Sequence, residues 1–282
     1  MTPPREVSDP NVTGPGRMAV GGSCPEPGQG PALQITNATV VFPGRSAPGR
    51  VVLEQFSLTL MPGEFLALVG KSGCGKTTVL NMLSGIVRPD AGTVEVLGVD
   101  PVSARSEIGF MLARDALLPW RSALRNVEYG LEVRGVDRRK RRRIATSYLD
   151  LLGVGDASEL WPWQLSQGMR QRVALGRTWA VDPQILLMDE PFAALDTLTR
   201  VTAQREFLRL WSTDMASGHA RSVVLVTHDL GEALLLADRV VVLADGRITD
   251  DLQVNFERPR DPVELAASAE YREQLDRLRQ QL

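Results

Sequence analysis

The residues best suited to chemistry are residues 70–77, which read GKSGCGKT and fit the pattern G-x-x-x-x-G-K-[ST]. Glycines let a backbone wrap closely round phosphate groups, and the exposed N–H groups of such a loop form an anion nest. Lys76 would reach the β and γ phosphates as a point charge, and the hydroxyl of Thr77 would ligate Mg²⁺. The pattern favours a nucleoside-triphosphate site over its alternative, a glycine-rich turn with a surface lysine. The predicted phosphate contacts are Gly70, Lys71, Ser72, Gly73, Cys74, Gly75, Lys76, Thr77 and Thr78.

Two adjacent carboxylates could supply the second half of such a site. They follow residues 185–188, an apolar segment that reads ILLM. Asp189, at the carboxyl end of this predicted strand, is placed to hold Mg²⁺ through water, and Glu190 is placed to polarise an attacking water. The alternative is a strand that ends in an acidic turn. Beside the phosphate loop, the hydrolytic reading is favoured.

Both motifs require buried strands to position them. Residues 65–69 form a short, continuous apolar run, which is typical of a strand buried on both faces. With the glycine loop and a helix from about residue 76 to 84, this run predicts a βα unit of a parallel sheet. The other predicted strands are 33–35, 39–42, 51–60, 185–188, 223–226 and 239–243.

The remaining segments divide the chain into a core, a lobe and two flanking parts. Residues 1–30 are rich in proline and glycine, which predicts a disordered tail. Residues 31–250 form the expected α/β core domain, and residues 115–180 within it read mostly as an inserted helical lobe. Residues 251–282 are polar and form a C-terminal extension, helical from about residue 262.

Composition narrows the class of protein. The chain has 282 residues, 43% of them hydrophobic, and a formal net charge of -2, which does not indicate a nucleic-acid binder. The two cysteines, Cys24 and Cys74, do not suggest a disulfide framework, so a reducing cytoplasmic compartment is expected. Because no apolar stretch approaches the ~18 residues of a membrane span, any membrane role is expected to need partners. The basic run at residues 138–143 is interpreted as a solvated helix face, with nucleic acid or anionic lipid as alternatives.

Three further motifs carry a resemblance to a known family. Residues 165–172 read LSQGMRQR and resemble the signature of the ATP-binding cassette (ABC) subunits. Residues 191–196, PFAALD, resemble the D-loop of that family, and residues 226–229, VTHD, resemble its switch-histidine segment. The resemblance covers residues 31–282. It implies a P-loop NTPase (RecA-like) core with an antiparallel β part and an inserted helical signature subdomain.

The resemblance also implies how the site is completed. Two ATPase subunits, identical or different, would pair head to tail, so that Ser166 and Gly168 of one close over the ATP and Mg²⁺ held by the other. His228 would contact the γ-phosphate, and Asp196 is the matching D-loop carboxylate. Phe42 matches the aromatic residue that stacks on adenine; the alternative is an ordinary core phenylalanine.

Within that family the chain is most similar to the nitrate, sulfonate and taurine import ATPases. Residues 117–121, LLPWR, look like the segment that those subunits present to their membrane partners, and residues 257–261 resemble their tail. The implied partners are transmembrane permease subunits and, indirectly, an extracytoplasmic solute-binding protein. The implied location is the cytoplasmic face of the inner membrane, and the solute would be a small anion.

The chain departs from the family pattern at three positions. Ala113 stands where a glutamine that helps to hold Mg²⁺ and the attacking water is expected. Gln167 replaces the first glycine of the signature and would crowd the γ-phosphate face, and Lys71 stands where proline is common.

These changes leave a second hypothesis open, a catalytically weakened or regulatory subunit of a heteromeric transporter. A soluble ABC ATPase of DNA repair or translation is disfavoured, because two cassettes or long coiled-coil insertions are not seen. Two tryptophans before the signature, Trp161 and Trp163, are interpreted as packing residues.

Overall fold

The computed structural model describes residues 30–43, 49–112, 116–216 and 221–282, with the side chains of residues 213–216 left out. The strands are β1 (Leu33–Phe42), β2 (Arg50–Leu60), β3 (Phe65–Val69), β4 (Ala91–Val96), β5 (Ile108–Met111), β6 (Ile185–Asp189), β7 (Ser222–Thr227), β8 (Arg239–Ala244) and β9 (Arg247–Gln253). The helices are α1 (Lys76–Leu83), α2 (Ala123–Val133), α3 (Arg138–Leu151), α4 (Gln167–Ala180), α5 (Thr197–Ala216), α6 (Leu230–Leu236), α7 (Pro262–Ala267) and α8 (Ala269–Gln280).

A six-stranded sheet in the order β5-β6-β7-β3-β8-β9 holds the centre of the molecule. The first five strands in this order are parallel, and β9 pairs antiparallel with β8. All residues of β3 and β7 are buried, as expected of strands covered on both faces. Because β6, β7 and β3 are neighbours and parallel, their carboxyl ends meet at one edge, where α/β folds commonly bind ligands.

A smaller antiparallel sheet in the order β2-β1-β4 packs over this core. Its inward apolar side chains form one cluster with residues of β3 and α1, including Leu53, Phe56, Leu68 and Leu80. The segments 33–35 and 39–42, predicted as separate strands, are one strand whose register shifts between Ile35 and Ala38. The shift explains why alternation in the sequence is interrupted there.

The predicted helical lobe consists of α2, α3 and α4, with two short 3-10 turns between α3 and α4. Its packing against the sheet runs through an edge-to-face aromatic cluster. The ring centroid of Phe207 lies 5.7 Å from that of Phe65 and 5.2 Å from that of Trp179, which α4 contributes. These contacts join the lobe, α5 and the central strand into one apolar core.

The C-terminal helices are attached to the core domain. Strand β9 runs across the predicted domain boundary at residue 250. Its burial alternates, as expected of an edge strand with one solvated face. The guanidinium of Arg277 donates to both carboxylate oxygens of Asp250 at 2.9 and 2.6 Å, and Leu278 is fully buried.

Strands β4, β5 and β9 were not predicted from the sequence. The predicted tail at residues 1–30 falls almost wholly outside the described residues. No helix of the described ranges is long and apolar enough to span a bilayer.

Candidate active site

The phosphate loop leaves β3 at the centre of the sheet and enters α1. Gly75, the N-cap of α1, has a φ of 113°, and a Cβ there would lie 2.8 Å from Cδ2 of Leu53. Glycine is therefore required both by the backbone and by the close approach of β2. The Nζ of Lys76 donates to the carbonyls of Gly70 at 2.7 Å and Lys71 at 3.0 Å, and its residue is only 7% exposed. The ammonium group is thus held inside the loop.

The other loop residues differ in exposure. Lys71, Ser72, Gly73 and Thr77 are exposed, and Thr78 is half-buried. Cys74 is buried, with its Sγ 3.9 Å from the Nζ of Lys76, as a small residue within the loop would be. The exposed groups line the outer side of the loop, next to the start of α1, where an anion would be favoured by the helix dipole.

Side-chain oxygens of Thr77 and Asp189 lie together between the loop and β6. The Oγ1 of Thr77 lies 3.2 Å from Oδ2 and 3.5 Å from Oδ1 of Asp189. Burial is the main cause that raises the pKa of Asp189; the Glu190 charge adds to it, while Thr77 and Lys76 oppose it. A cation beside this carboxylate would offset its desolvation.

The pair fits Mg²⁺, which prefers hard oxygen ligands and takes only one or two from a protein when phosphates supply the rest. Among the described residues no cluster of three or more His, Cys, Asp and Glu could hold a metal ion by itself. Any Mg²⁺ bound at Thr77 and Asp189 would therefore depend on nucleotide phosphates for its other ligands.

Glu190 and His228 lie together at the ends of adjacent strands. The Nδ1 of His228 is 3.4 Å from Oε2 of Glu190. Glu190 has a φ of 45°, a left-handed conformation that is unfavourable for a residue with a side chain. Its N–H donates to the carbonyl of Val226 at 2.9 Å, so β7 holds this conformation in place. Such strained residues are concentrated at active sites.

The signature residues lie at the start of α4. The Oγ of Ser166, the N-cap, accepts a hydrogen bond from the N–H of Met169 at 3.2 Å. A Cβ on Gly168 would lie 2.7 Å from Cγ2 of Thr199, so the glycine allows α4 to pack against α5. The Nε2 of Gln167 donates to the carbonyl of Ala194 within the same chain. The side chain expected to crowd the γ-phosphate face is therefore directed to the chain's own D-loop.

The D-loop carboxylate, Asp196, caps α5. Its Oδ1 accepts from the N–H groups of Leu198 at 3.2 Å and Thr199 at 3.1 Å. The side-chain hydrogen bond of Thr199 is the largest cause that lowers the pKa of Asp196, and backbone N–H donors add to it. Asp196 thus holds the turn between the D-loop and α5.

Three further sequence expectations concern Phe42, Ala113 and the two tryptophans before the signature. Phe42 ends β1 and is 44% exposed, so its alternative as a core phenylalanine is wrong. Ala113 lies outside the described residues. Trp161 and Trp163 are 39% and 66% exposed and stack on each other with ring centroids 5.2 Å apart, so the interpretation of both as packing residues is wrong beyond this mutual contact.

The basic run keeps much of its charge at the surface. In α3, Arg138, Arg139, Arg142 and Arg143 are exposed, whereas Lys140 and Arg141 are half-buried. Arg142 forms an ion pair with Glu159 at 3.1 Å. This arrangement matches the interpretation of a solvated helix face.

A phosphate loop after a buried central strand, with a carboxylate pair at the end of a parallel strand two positions away in the same sheet, defines a P-loop nucleotide hydrolase. A family model for ABC transporters matches residues 53–193, which contain the loop, the signature and both carboxylates. The chain therefore belongs to the ATP-binding subunits of the ABC transporter family, and it is an ATPase of that type.

Related proteins extend this result beyond the matched segment. An uncharacterized ABC transporter ATP-binding protein of Methanocaldococcus jannaschii is 39% identical over 246 residues, covering 86% of this chain and 89% of that protein. The taurine import ATP-binding protein TauB of Pseudomonas putida is 42% identical over 226 residues, covering 79% of this chain and 83% of TauB.

Solved structures with this fold include two of the ATP-binding cassette MJ0796. One is described as a dimeric post-hydrolysis state bound to ADP and Pi, the other as a dimeric bacterial ABC transporter cassette. Each has a TM-score of 0.70 and 27% identity, and covers 80% of this chain and 100% of the solved one. The expected fold, a P-loop core with an inserted helical subdomain, is confirmed.

The structure brings together Lys76, Thr77, Asp189, Glu190 and His228 as the sequence predicts. Sequence reasoning assigned no role to Arg200, which reaches two segments of the site. Its Nη2 donates to the carbonyl of Leu195 at 3.2 Å, and its Nη1 donates to Oδ2 of Asp229 at 3.4 Å. The only signals in the sequence were that Asp229 ends the switch-histidine segment and that Arg200 follows shortly after the D-loop segment.

Proposed function

We propose that this chain hydrolyses ATP to drive uptake of a small solute through separate membrane subunits. The observation that carries the proposal is the meeting of the phosphate loop, Asp189, Glu190 and His228 at one edge of the sheet. The import role is supported by relatives that are named for taurine import at 40–42% identity. The solute, by the same similarity, is a small anion such as a sulfonate; nitrate is the related alternative.

In the proposed mechanism each group has one task. The loop N–H groups and Lys76 bind the β and γ phosphates, and Phe42 stacks on adenine. Thr77 and Asp189 hold Mg²⁺, which supplies positive charge against the phosphate oxygens when bound. Glu190 orients the attacking water and accepts its proton. His228, 3.4 Å from Glu190, holds that carboxylate and donates to the γ-phosphate.

The proposed working unit contains two ATPase subunits. Ser166 and Gly168 of one copy would close over the nucleotide of the other, with Asp196 at the same interface. Support comes from the exposure of Ser166 and Asp196 and from the dimeric state described for MJ0796. The Gln167 side chain, bonded to its own Ala194, is directed away from the N-terminus of α4, so that this end of the helix can face a partner's nucleotide.

A rigid exposed turn supports contact with a transmembrane permease. Trp120 is 68% exposed, whereas the turn around it is fixed. The amide of Asn126 binds both the N–H and the carbonyl of Leu118, and Arg121 pairs with Glu132 at 2.6 Å. An exposed aromatic on a fixed turn is typical of an interaction anchor. The subunit would then lie at the cytoplasmic face of the inner membrane, reaching the solute-binding protein only through the permease.

Transport tests this function. Uptake of labelled taurine would be measured in membrane vesicles that hold the complete transporter with wild-type chain or with Glu190→Gln. We expect ATP-dependent uptake with the wild type, and a loss of about 100-fold or more with Glu190→Gln. Uptake that is unchanged by Glu190→Gln would refute the proposed motor role. Competition by other sulfonates and by nitrate would identify the solute class.

A second candidate is a weakened ATP-binding subunit that works beside a different ATPase chain. The observation that favours it is Ala113, whose methyl group can neither hold Mg²⁺ nor orient water. Ala113→Gln separates the two functions. A large rise in turnover supports the weakened subunit, whereas turnover within about twofold of wild type supports the self-sufficient ATPase.

A further inference from the structure

Arg200 connects two separate segments of the site, the D-loop and the segment that contains His228. It stands in the first turn of α5, and its backbone N–H donates to the carbonyl of Asp196 at 2.9 Å. Through its side chain it binds the carbonyl of Leu195 at 3.2 Å and Oδ2 of Asp229 at 3.4 Å. One side chain therefore joins the D-loop to the residue that follows His228.

Asp229 in turn fixes the chain at the histidine. Its Oδ1 accepts from the N–H of Glu232 at 3.1 Å and caps α6, while its own N–H donates to Oγ1 of Thr227 at 3.0 Å. The residues on both sides of His228 are thus held by hydrogen bonds. His228 itself is 62% exposed, so packing restrains its imidazole little. Its direction depends on the backbone between Thr227 and Asp229.

The same face of α5 supplies a second anchor. Gln204, one turn after Arg200, donates to Oε1 of the buried Glu232 at 2.8 Å. Two residues of α5 therefore hold two carboxylates at the start of α6, Asp229 at the N-cap and Glu232 in the first turn. A movement of the α5 start would be passed to α6 and to the residue before it.

Stability alone does not explain the Arg200 contact. The side chains of Arg200 and Asp229 are 32% and 41% exposed, and pairs of this kind contribute little to folding. A comparable pair, Arg205 with Asp261, has the same 3.4 Å separation further along α5 but touches neither the D-loop nor the histidine segment. The difference between the two pairs is position relative to the site.

We propose that Arg200 is a positioning residue, which acts through Asp229 to fix the position of His228 relative to the D-loop. The inference rests on the proposed ATPase function. When contact with a second subunit fixes the D-loop, Arg200 would also restrict the position of the histidine beside the γ-phosphate. Arg200 contacts no substrate in this arrangement; it acts through Asp229.

The first test observes His228 directly, without turnover. The full chain has two histidines, so histidine-selective ¹⁵N and ¹³C labelling gives two imidazole signals, and His219→Gln assigns them. We expect Arg200→Ala to shift or broaden the His228 signal, while the matched control Arg205→Ala leaves it unchanged. A His228 signal that is the same in both variants would overturn the proposal, whether or not the chain hydrolyses ATP.

Kinetics provide the second readout. We expect Arg200→Ala to lower kcat about tenfold or more, with the ATP dissociation constant within about twofold of wild type. Arg200→Lys should recover part of kcat, and Asp229→Asn, which keeps an oxygen to cap α6, should add little to the loss in the double variant. Equal kcat for Arg200→Ala and Arg205→Ala would overturn the role. Absence of turnover in the wild type would count against the proposed function, while the His228 signal still decides the role of Arg200.

Discussion

The Oγ1 of Thr77 lies 3.2 Å from Oδ2 of Asp189, although 112 residues separate them in the chain. The parallel pairing of β3, β7 and β6 produces this contact, because it places the end of β6 two strands away from the phosphate loop. The two oxygens are of the type that a hard cation prefers, and we propose that Mg²⁺ binds there with phosphates as further ligands. ATP binding and Mg²⁺ binding are therefore expected to depend on each other.

Lys76 and Lys71 provide a matched pair of lysines in one loop. Lys76 is buried and bonded to the loop carbonyls, whereas Lys71 is exposed. We expect Lys76→Ala to weaken ATP binding by about 30-fold or more, since it removes the positive charge inside the loop. Lys71→Ala should change the affinity by less than about threefold. Titration calorimetry with ATP and Mg²⁺ measures both, and equal losses would contradict the assigned role of Lys76.

Phe42 tests the adenine contact. Because the side chain is exposed at the end of β1, its removal should alter folding little. Stacking of a base on an aromatic ring is worth about 1–3 kcal/mol, so Phe42→Ala should weaken ATP binding between about fivefold and 150-fold. Phe42→Tyr should retain most of the affinity. A fall in Tm with unchanged ATP affinity would show a packing role instead.

Much of this site could be predicted because its signals are local. The loop at residues 70–77 and the carboxylates after β6 each lie within one short segment next to an apolar strand. The Gln167–Ala194 and Arg200–Asp229 contacts could not be predicted, because they depend on how separate loops approach each other. For Phe42 the sequence leaves adenine stacking and a core position equally open, and only the exposure of the side chain excludes the core position.

The strands that were missed have weak sequence patterns. Strand β5 has four residues and is placed by pairing with β6. Strand β9 reads RITDDLQ and looks polar, because only one of its faces is covered. The predicted boundary at residue 250 fell inside β9 for this reason, whereas β3 and β7, buried on both faces, were located correctly.

Leu278 tests whether the C-terminal extension is part of the core domain. The side chain is fully buried, so Leu278→Ala should lower the free energy of unfolding by about 2–5 kcal/mol. Leu198→Ala is the control, since Leu198 is exposed and should change stability by less than about 0.5 kcal/mol. Urea unfolding measures both. A change of less than about 0.5 kcal/mol for Leu278→Ala would mean that α8 folds independently of the core.

Glu232 should make stability depend on pH. Burial is the main cause that raises its pKa, and Asp229 adds to it, while hydrogen bonds from Thr227 and Gln204 and the charge of Arg200 oppose it. Between the two pKa values the folded chain therefore keeps a proton on Glu232 that the unfolded chain has released. The stability of the folded chain falls as pH rises from the unfolded pKa of about 4.3 through the folded value.

Glu232→Gln removes this titration. The free energy of unfolding of Glu232→Gln minus that of the wild type should rise by about 1.4 kcal/mol per pH unit between the unfolded and folded pKa values of Glu232. Above the folded pKa this difference should stay constant. Urea unfolding from pH 5 to 8 measures the difference, with the exposed Glu159→Gln as control. A wild-type-minus-variant difference that does not vary with pH would exclude the effect.

The central claim is that this chain hydrolyses ATP through Glu190. ATP turnover by the purified chain with Mg²⁺ should be measured beside Glu190→Gln, with ATP binding determined separately for both. The account predicts that both bind ATP and that turnover falls about 100-fold or more in the variant. ATP binding without turnover in the wild type, or turnover that survives Glu190→Gln, would contradict it.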